Sequence, residues 1–123
     1  MPIIRIEALV DRPPDVALLL EGTVRAAAEA FGTEPRQCWA TFRELPSGTY
    51  LEGGRVRDSS EAALVSPLVT VLAYRGRTRD VKARVLAAVA EAVGRGLGTP
   101  PENVFVEYRE IPEGHVFTGG EVH

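Results

Sequence analysis

At 123 residues the chain is the size of one small domain, too short for a multidomain enzyme. Hydrophobic residues at 45% and charged residues at 25% exclude wholesale disorder, and a net charge of −3 excludes a concentrated basic surface for nucleic acid. No run approaches the roughly 18 apolar residues of a membrane span, and the opening MPIIRIEALV lacks the parts of a secretory signal. One cysteine makes no internal disulfide, so the expectation is a cytoplasmic protein with no nucleic-acid or membrane partner.

Residues 2–9 alternate well enough for a strand, with Ile4, Ile6 and Ala8 on one face. The stretch Asp11-Arg12-Pro13-Pro14 breaks it. Residues 15–31 predict a helix with Val16, Leu19, Leu20, Val24, Ala27 and Phe31 as its apolar stripe and Gly32 as its stop. Residues 38–45 predict a second strand, closed by a turn at Pro46-Ser47-Gly48. A polar, exposed section is expected over Arg55–Ser60. Leu68–Tyr74 reads as a strand rich in β-formers. Thr78 is placed to cap a second helix with stripe Val81, Val85, Val89, Ala92 and Val93, ended by Gly96, Gly98 and Pro100-Pro101. Val104–Glu110 predicts the fourth strand.

The two halves repeat each other. Pro2 matches Pro67 and Arg12 matches Arg77, both at an offset of 65 residues. Glu44, Pro46, Gly48 and Gly53-Gly54 match Glu110, Pro112, Gly114 and Gly119-Gly120 at an offset of 66. The period is too long for most solenoid units and points to a duplicated half-domain. The expected organisation is one domain of two repeats, about residues 2–54 and 67–120, joined by 55–66. Two strand–helix–strand units side by side predict an α+β fold, a four-stranded mixed sheet with both helices on one face. The bare face then calls for oligomerisation.

The opening Met-Pro-Ile-Ile-Arg-Ile, Arg12 ten positions after Pro2, and the string GTPPENVFVEYREIPEGHVFTGGE together resemble the tautomerase superfamily. The last string is similar to the second strand and closing hairpin of 4-oxalocrotonate tautomerase. The resemblance covers nearly the whole chain, because both halves fit the family's short β-α-β unit. It implies a fused, duplicated member that assembles as a homotrimer and works without cofactor or metal. It also implies a catalytic Pro2: loss of Met1 frees a secondary amine, and α-amines titrate near 7.7–8.0 in model peptides. Burial and neighbouring guanidinium groups push that value down, leaving a neutral base near pH 7. A retained Met1 would acylate Pro2 and remove the base. Pro67 is an internal tertiary amide, so one working base per chain is expected.

In fused members the arginine matching Arg77 works beside the N-terminal proline. Arg75 and Arg77 are therefore candidates for holding a carboxylate and a developing enolate, against the plainer reading of an exposed, solvated pair. The Arg-x-Arg spacing and Ala30-Phe31-Gly32 resemble malonate semialdehyde decarboxylase, but the acid that enzyme needs falls on Gln37. The His and Glu of cis-3-chloroacrylic acid dehalogenase fall on Ala28 and Thr118, and its second arginine on Tyr74 beside Arg75. Tyr50 takes the place of a pocket phenylalanine and Trp39 that of a second binding arginine; both also read as core or interface aromatics. Arg12 is expected at the vestigial site made by Pro67. Glu107, on a strand face with Phe105, is a candidate acid or a surface glutamate. Cys38 reads as a small packed hydrophobe. His115 and His123, far apart and without close Cys partners, make no metal site. The leading expectation is a cofactor-free keto–enol tautomerase acting on a small 2-oxo acid or its enol. The alternatives are a decarboxylase or hydratase using Glu107, and a non-catalytic trimeric binding protein.

Overall fold

A computed structural model describes every residue from Met1 to His123. Strand β1 (Ile3–Ala8) buries Ile4, Ile6 and Ala8 at 2% exposure or less, as its alternation predicts. Helix α1 (Val16–Phe31) begins at Asp15, whose Oδ1 accepts from the Leu18 N–H at 3.1 Å. That bond satisfies one of the donors a helix start leaves open. The helix ends at Gly32, whose left-handed conformation suits a residue without Cβ. A 3-10 turn over Pro35–Gln37 leads into β2 (Trp39–Glu44).

Next come β3 (Tyr50–Glu52), β4 (Arg55–Arg57) and a 3-10 helix over Ser59–Leu64. The second unit repeats the first: β5 (Leu68–Tyr74), α2 (Arg79–Leu97), a 3-10 turn at Pro101–Asn103 and β6 (Phe105–Ile111). Thr78 Oγ1 caps α2 by accepting from the Val81 N–H at 3.3 Å. Two short strands, β7 (Phe117–Thr118) and β8 (Glu121–Val122), close the chain as a hairpin.

The main sheet has the order β2-β1-β5-β6. β1 is parallel to β2, β5 is parallel to β6, and the two units meet through antiparallel β1 and β5. A parallel pair needs a long crossover, which α1 and α2 supply. Both helices pack on one face, where Ile4, Ile6, Val69 and Val71 of the sheet meet Leu19, Ala27, Val85, Val89 and Val93. Each Ile, Leu or Val so buried contributes roughly 1.5–3 kcal/mol. Gly96 lets the helices close: a Cβ there would stand 2.5 Å from Leu19 Cδ1. The opposite sheet face carries exposed Trp39, Arg5, Thr41, Phe105 and Glu107 and has no covering layer within the chain. No helix is long and apolar enough to cross a membrane.

Three local expectations change. The Arg55–Ser60 section is not simply an exposed link. Arg57 keeps only 13% of its side chain exposed, bonds the Glu52 carbonyl at 3.0 Å and pairs with Glu61 at 3.1 Å. The Gly53-Gly54 turn, with φ of 66° and 82°, folds β4 back on β3 and brings these partners together. In α1 the buried positions are Leu19, Thr23, Ala27 and Ala28, while Val16 is 41% exposed because it lies in the first turn, at the rim of the core. In α2, Gly96 lies inside the helix and Gly98 is its cap.

Candidate active site

The start of the chain, the end of α1, the loop after β5 and the middle of β6 converge at one end of the sheet. Pro2 is buried, and its carbonyl accepts from the Trp39 N–H at 2.9 Å, which zips the segment before β1 onto β2. Cys38, just before β2, is buried at 6% exposure, as a small packed hydrophobe should be. Arg77 is tethered from two sides. Its Cζ lies 4.8 Å above the Phe31 ring, and its Nη1 donates to the Tyr74 carbonyl at 3.2 Å. The ring face attracts the guanidinium, and the carbonyl fixes its orientation.

These groups feel one another's charge. Burial, then the Arg77 cation, hold the Met1 α-amine below its ordinary value, with Cys38 opposing. Burial pushes the Cys38 thiol up, and the amine and Arg77 oppose that shift. An amine so placed favours its neutral, proton-accepting form.

Tyr108 was not singled out from the sequence, and it belongs to this cluster. Its ring lies 6.2 Å from Phe31, tilted by 46°. Lys82 Nζ stands 5.6 Å from that ring and 3.0 Å from Glu110 Oε2. The Tyr108 hydroxyl is buried and has no hydrogen-bond partner. Burial raises its pKa, Arg77 works against that rise and Glu110 adds to it. A phenol held protonated, desolvated and unpaired is a donor without an acceptor. The sequence signal was its inward parity in β6, two positions after Val106.

The other expected residues lie elsewhere in the chain. Arg75 is exposed on the β5–α2 loop, where its backbone N–H meets the Ile111 carbonyl at 3.4 Å. Trp39 is 46% exposed, and its side chain belongs to the uncovered sheet face. Phe105 and Glu107 share that face, with Glu107 Oε1 bound to Arg109 Nε at 2.8 Å. They lie on the side of β6 away from Tyr108.

Tyr50 stands at the opposite end of the sheet. Its hydroxyl donates to Glu52 Oε1 at 2.9 Å and approaches the Ser66 carbonyl at 3.2 Å, next to Pro67. Burial and the Glu52 carboxylate raise its phenol to about 12, with Arg57 opposing. Arg12 and Pro67 line one cavity at that same end. The antiparallel register of β1 and β5, Ile3 opposite Leu72 and Glu7 opposite Leu68, separates the two proline ends. Within one chain the structure thus groups Pro2 with Arg77, and Pro67 with Arg12 and Tyr50.

A family model described as tautomerase enzyme matches residues 67–123, the whole second unit with its leading proline, Arg77 and Tyr108. A probable tautomerase of Lactococcus lactis subsp. lactis is 32% identical over 56 residues, which are 46% of this chain and 92% of that protein. The chain belongs to the tautomerase family. This tautomerase-family chain also superposes on a fused 4-OT solved as an asymmetric trimer, with a TM-score of 0.84, 23% identity, and 98% and 94% of the two chains covered. FG41 malonate semialdehyde decarboxylase, inhibited by 3-bromopropiolate, follows with a TM-score of 0.72, 20% identity, and 95% and 88% covered. At those identities the likeness establishes the shared fold. The activity that goes with membership is tautomerisation, an isomerase reaction.

Proposed function

We propose that the chain is a cofactor-free keto–enol tautomerase for a small 2-oxo acid or its enol, with Pro2 as the base once Met1 is removed. The observation that carries this reading is the tethered Arg77 guanidinium beside the buried Pro2, at a chain start where burial and Arg77 already hold the Met1 amine below its ordinary pKa. Arg77 pairs with the substrate carboxylate in a charge-assisted, bidentate contact. The neutral Pro2 nitrogen takes a proton from the enol hydroxyl or from the carbon beside the carbonyl, and returns it at the other position. The Tyr108 hydroxyl donates to the oxygen as enolate charge develops, which gives its unpaired O–H a partner. Arg75 guides the anion from outside.

The working form is a homotrimer. Uncovered Trp39 and Phe105 on the sheet, and exposed Leu51, Val56, Phe117 and Val122 on the two hairpins, form its contacts. Tyr50 reaches a Pro2 pocket only from a neighbouring copy, since in its own chain it stands at the Ser66 end of the sheet, whereas Trp39 adjoins Pro2 through its backbone N–H and turns its side chain to the uncovered sheet face. Glu107 is not assigned as an acid, because Arg109 holds it on the uncovered face. A cytoplasmic setting completes the reading.

Labelling with an acetylenic 2-oxo acid tests the proposal. Pro2 should add to the alkyne, giving one adduct per chain on the N-terminal peptide, and Arg77→Ala should slow that labelling. Adduct formation on Cys38, or none at all, would reject Pro2 as the free amine of a carboxylate-binding site.

A further inference from the structure

Lys82 is the chain's only lysine. It stands near the start of α2, where the aligned peptide dipoles of a helix disfavour a cation. The helix itself therefore gives no reason for a positive charge there. The ammonium turns instead to β6, where Nζ lies 3.0 Å from Glu110 Oε2 and 5.6 Å from the centre of the Tyr108 ring. Tyr108 and Glu110 are two residues apart on one face of β6, paired with Val71 and Ala73 of β5.

Three charged groups act on the Tyr108 side chain: Arg77 from the β5–α2 loop, Lys82 from α2 and Glu110 from its own strand. Burial holds the proton on the phenol, Arg77 opposes that hold and Glu110 adds to it. Lys82 offsets Glu110 in two ways. It pairs with the carboxylate, and its own field favours negative charge on the ring and its oxygen. A compact ammonium can do both at once, touching one carboxylate oxygen while standing over a ring face. An ion pair with side chains 30% and 37% exposed adds little to stability, so its effect on the buried, unpaired phenol is the larger consequence.

We propose that Lys82 is a positioning residue for the reaction and acts through Tyr108: held by Glu110, its ammonium strengthens the hydrogen bond that the Tyr108 hydroxyl donates to the enolate oxygen. As the substrate oxygen gains charge, it draws on the phenol proton, and part of the charge passes to the phenol oxygen. The Lys82 cation is already in place beside that oxygen's ring, so no rearrangement is needed as the charge develops. Carboxylate binding by Arg77 does not involve Lys82, and the effect therefore falls on kcat and not on KM. The inference rests on the tautomerase reading of this site, with Tyr108 as its donor.

Two readouts on the full, Met1-processed chain test it. The first is a fluorine NMR titration with a trifluorinated tyrosine placed at position 108, whose phenol titrates well below lysine's ordinary pKa of about 10.4. Lys82→Met should move that titration to higher pH, Glu110→Gln should move it to lower pH, and Lys82→Arg should leave it near the parent's. The second is enol ketonisation. Lys82→Met should lower kcat about three- to tenfold with KM within about twofold, and Lys82→Arg should restore most of the loss. In a Tyr108→Phe background, Lys82→Met should change nothing further. A titration unmoved by Lys82→Met, or a kcat loss that persists undiminished without the Tyr108 hydroxyl, would overturn the inference on its own account. A titration that moves while Tyr108→Phe leaves kcat unchanged would show instead that Tyr108 is not the donor, and the inference would fall with that reading.

Discussion

Replacing Arg77 by alanine separates catalysis from folding. In the folded chain the guanidinium makes one contact with the Phe31 ring at 4.8 Å and one hydrogen bond to the Tyr74 carbonyl at 3.2 Å. A cation–π contact at a partly exposed site contributes about 0.5–1 kcal/mol, and a hydrogen bond about 0.5–1.5 kcal/mol. The stability loss is therefore about 1–2.5 kcal/mol, small beside the roughly 5–15 kcal/mol of a typical domain. The substrate loses far more. One charge-assisted, bidentate carboxylate contact that strengthens with the enolate is worth about 3–4 kcal/mol, or roughly 150- to 900-fold in kcat/KM. The assay is ketonisation of the enol of a small 2-oxo acid, followed by loss of its ultraviolet absorbance, beside a thermal melt. A second signature comes from the same substitution. Arg77 lowers the pKa of the Met1 amine, and a freed Pro2 amine one residue on feels the same cation, so its removal moves the rising limb of the pH–rate profile to higher pH. A variant that keeps kcat/KM within threefold of the parent, with the limb unmoved, would refute the role given to Arg77.

Four further outcomes are expected. Tyr108→Phe lowers kcat by about tenfold and leaves the melting temperature equal or higher, because the hydroxyl it removes is buried and unpaired; steady-state kinetics and a melt check both. Thr23→Val stabilises the chain by about 1 kcal/mol in urea unfolding, since the Thr23 hydroxyl is fully buried without a partner. Gly94→Ala destabilises it by about 1–3 kcal/mol, because the new Cβ meets the Thr99 backbone oxygen, which cannot rotate away. For the Met1-processed enzyme, kcat/KM rises with pH through a Pro2 amine pKa below the ordinary α-amine value, because Pro2 is buried and adjoins the Met1 amine that burial and Arg77 lower; a limb above that value would contradict those effects. The linkage sign follows: the amine's stabilising share is complete above the unfolded value and is lost as pH falls through the folded one.

The architecture was legible because it rests on local signals. The alternation of Ile4, Ile6 and Ala8, the caps at Thr78 and Gly32, and the stripe Val85, Val89, Val93 all act within a few residues of themselves. The repeat supplied the second unit from the first. The resemblance led to the expectation that Arg77 would lie near Pro2, and the chain start and Arg77 do meet, although they lie on different halves. Tyr108 was not, because its partners Phe31 and Arg77 come from two other elements and its place under α2 depends on the β5–β6 register. The end of the sheet that Tyr50 serves was equally hidden. It is set by the β3–β4 hairpin, which carries Glu52 and the Tyr50 hydroxyl to Ser66. Trp39 and Phe105 alternate outward in strands whose outer layer this chain does not contain, so their surroundings could not be read from one copy.

The central claim is that a free Pro2 amine moves the proton. It is tested most directly by the enol ketonisation rate of the Met1-processed protein against a chain carrying one extra glycine before Pro2. That residue turns the amine into an amide and leaves Arg77, Phe31 and Tyr108 in place. The account predicts a loss of about 100-fold or more in kcat. Equal rates for the two chains would contradict it.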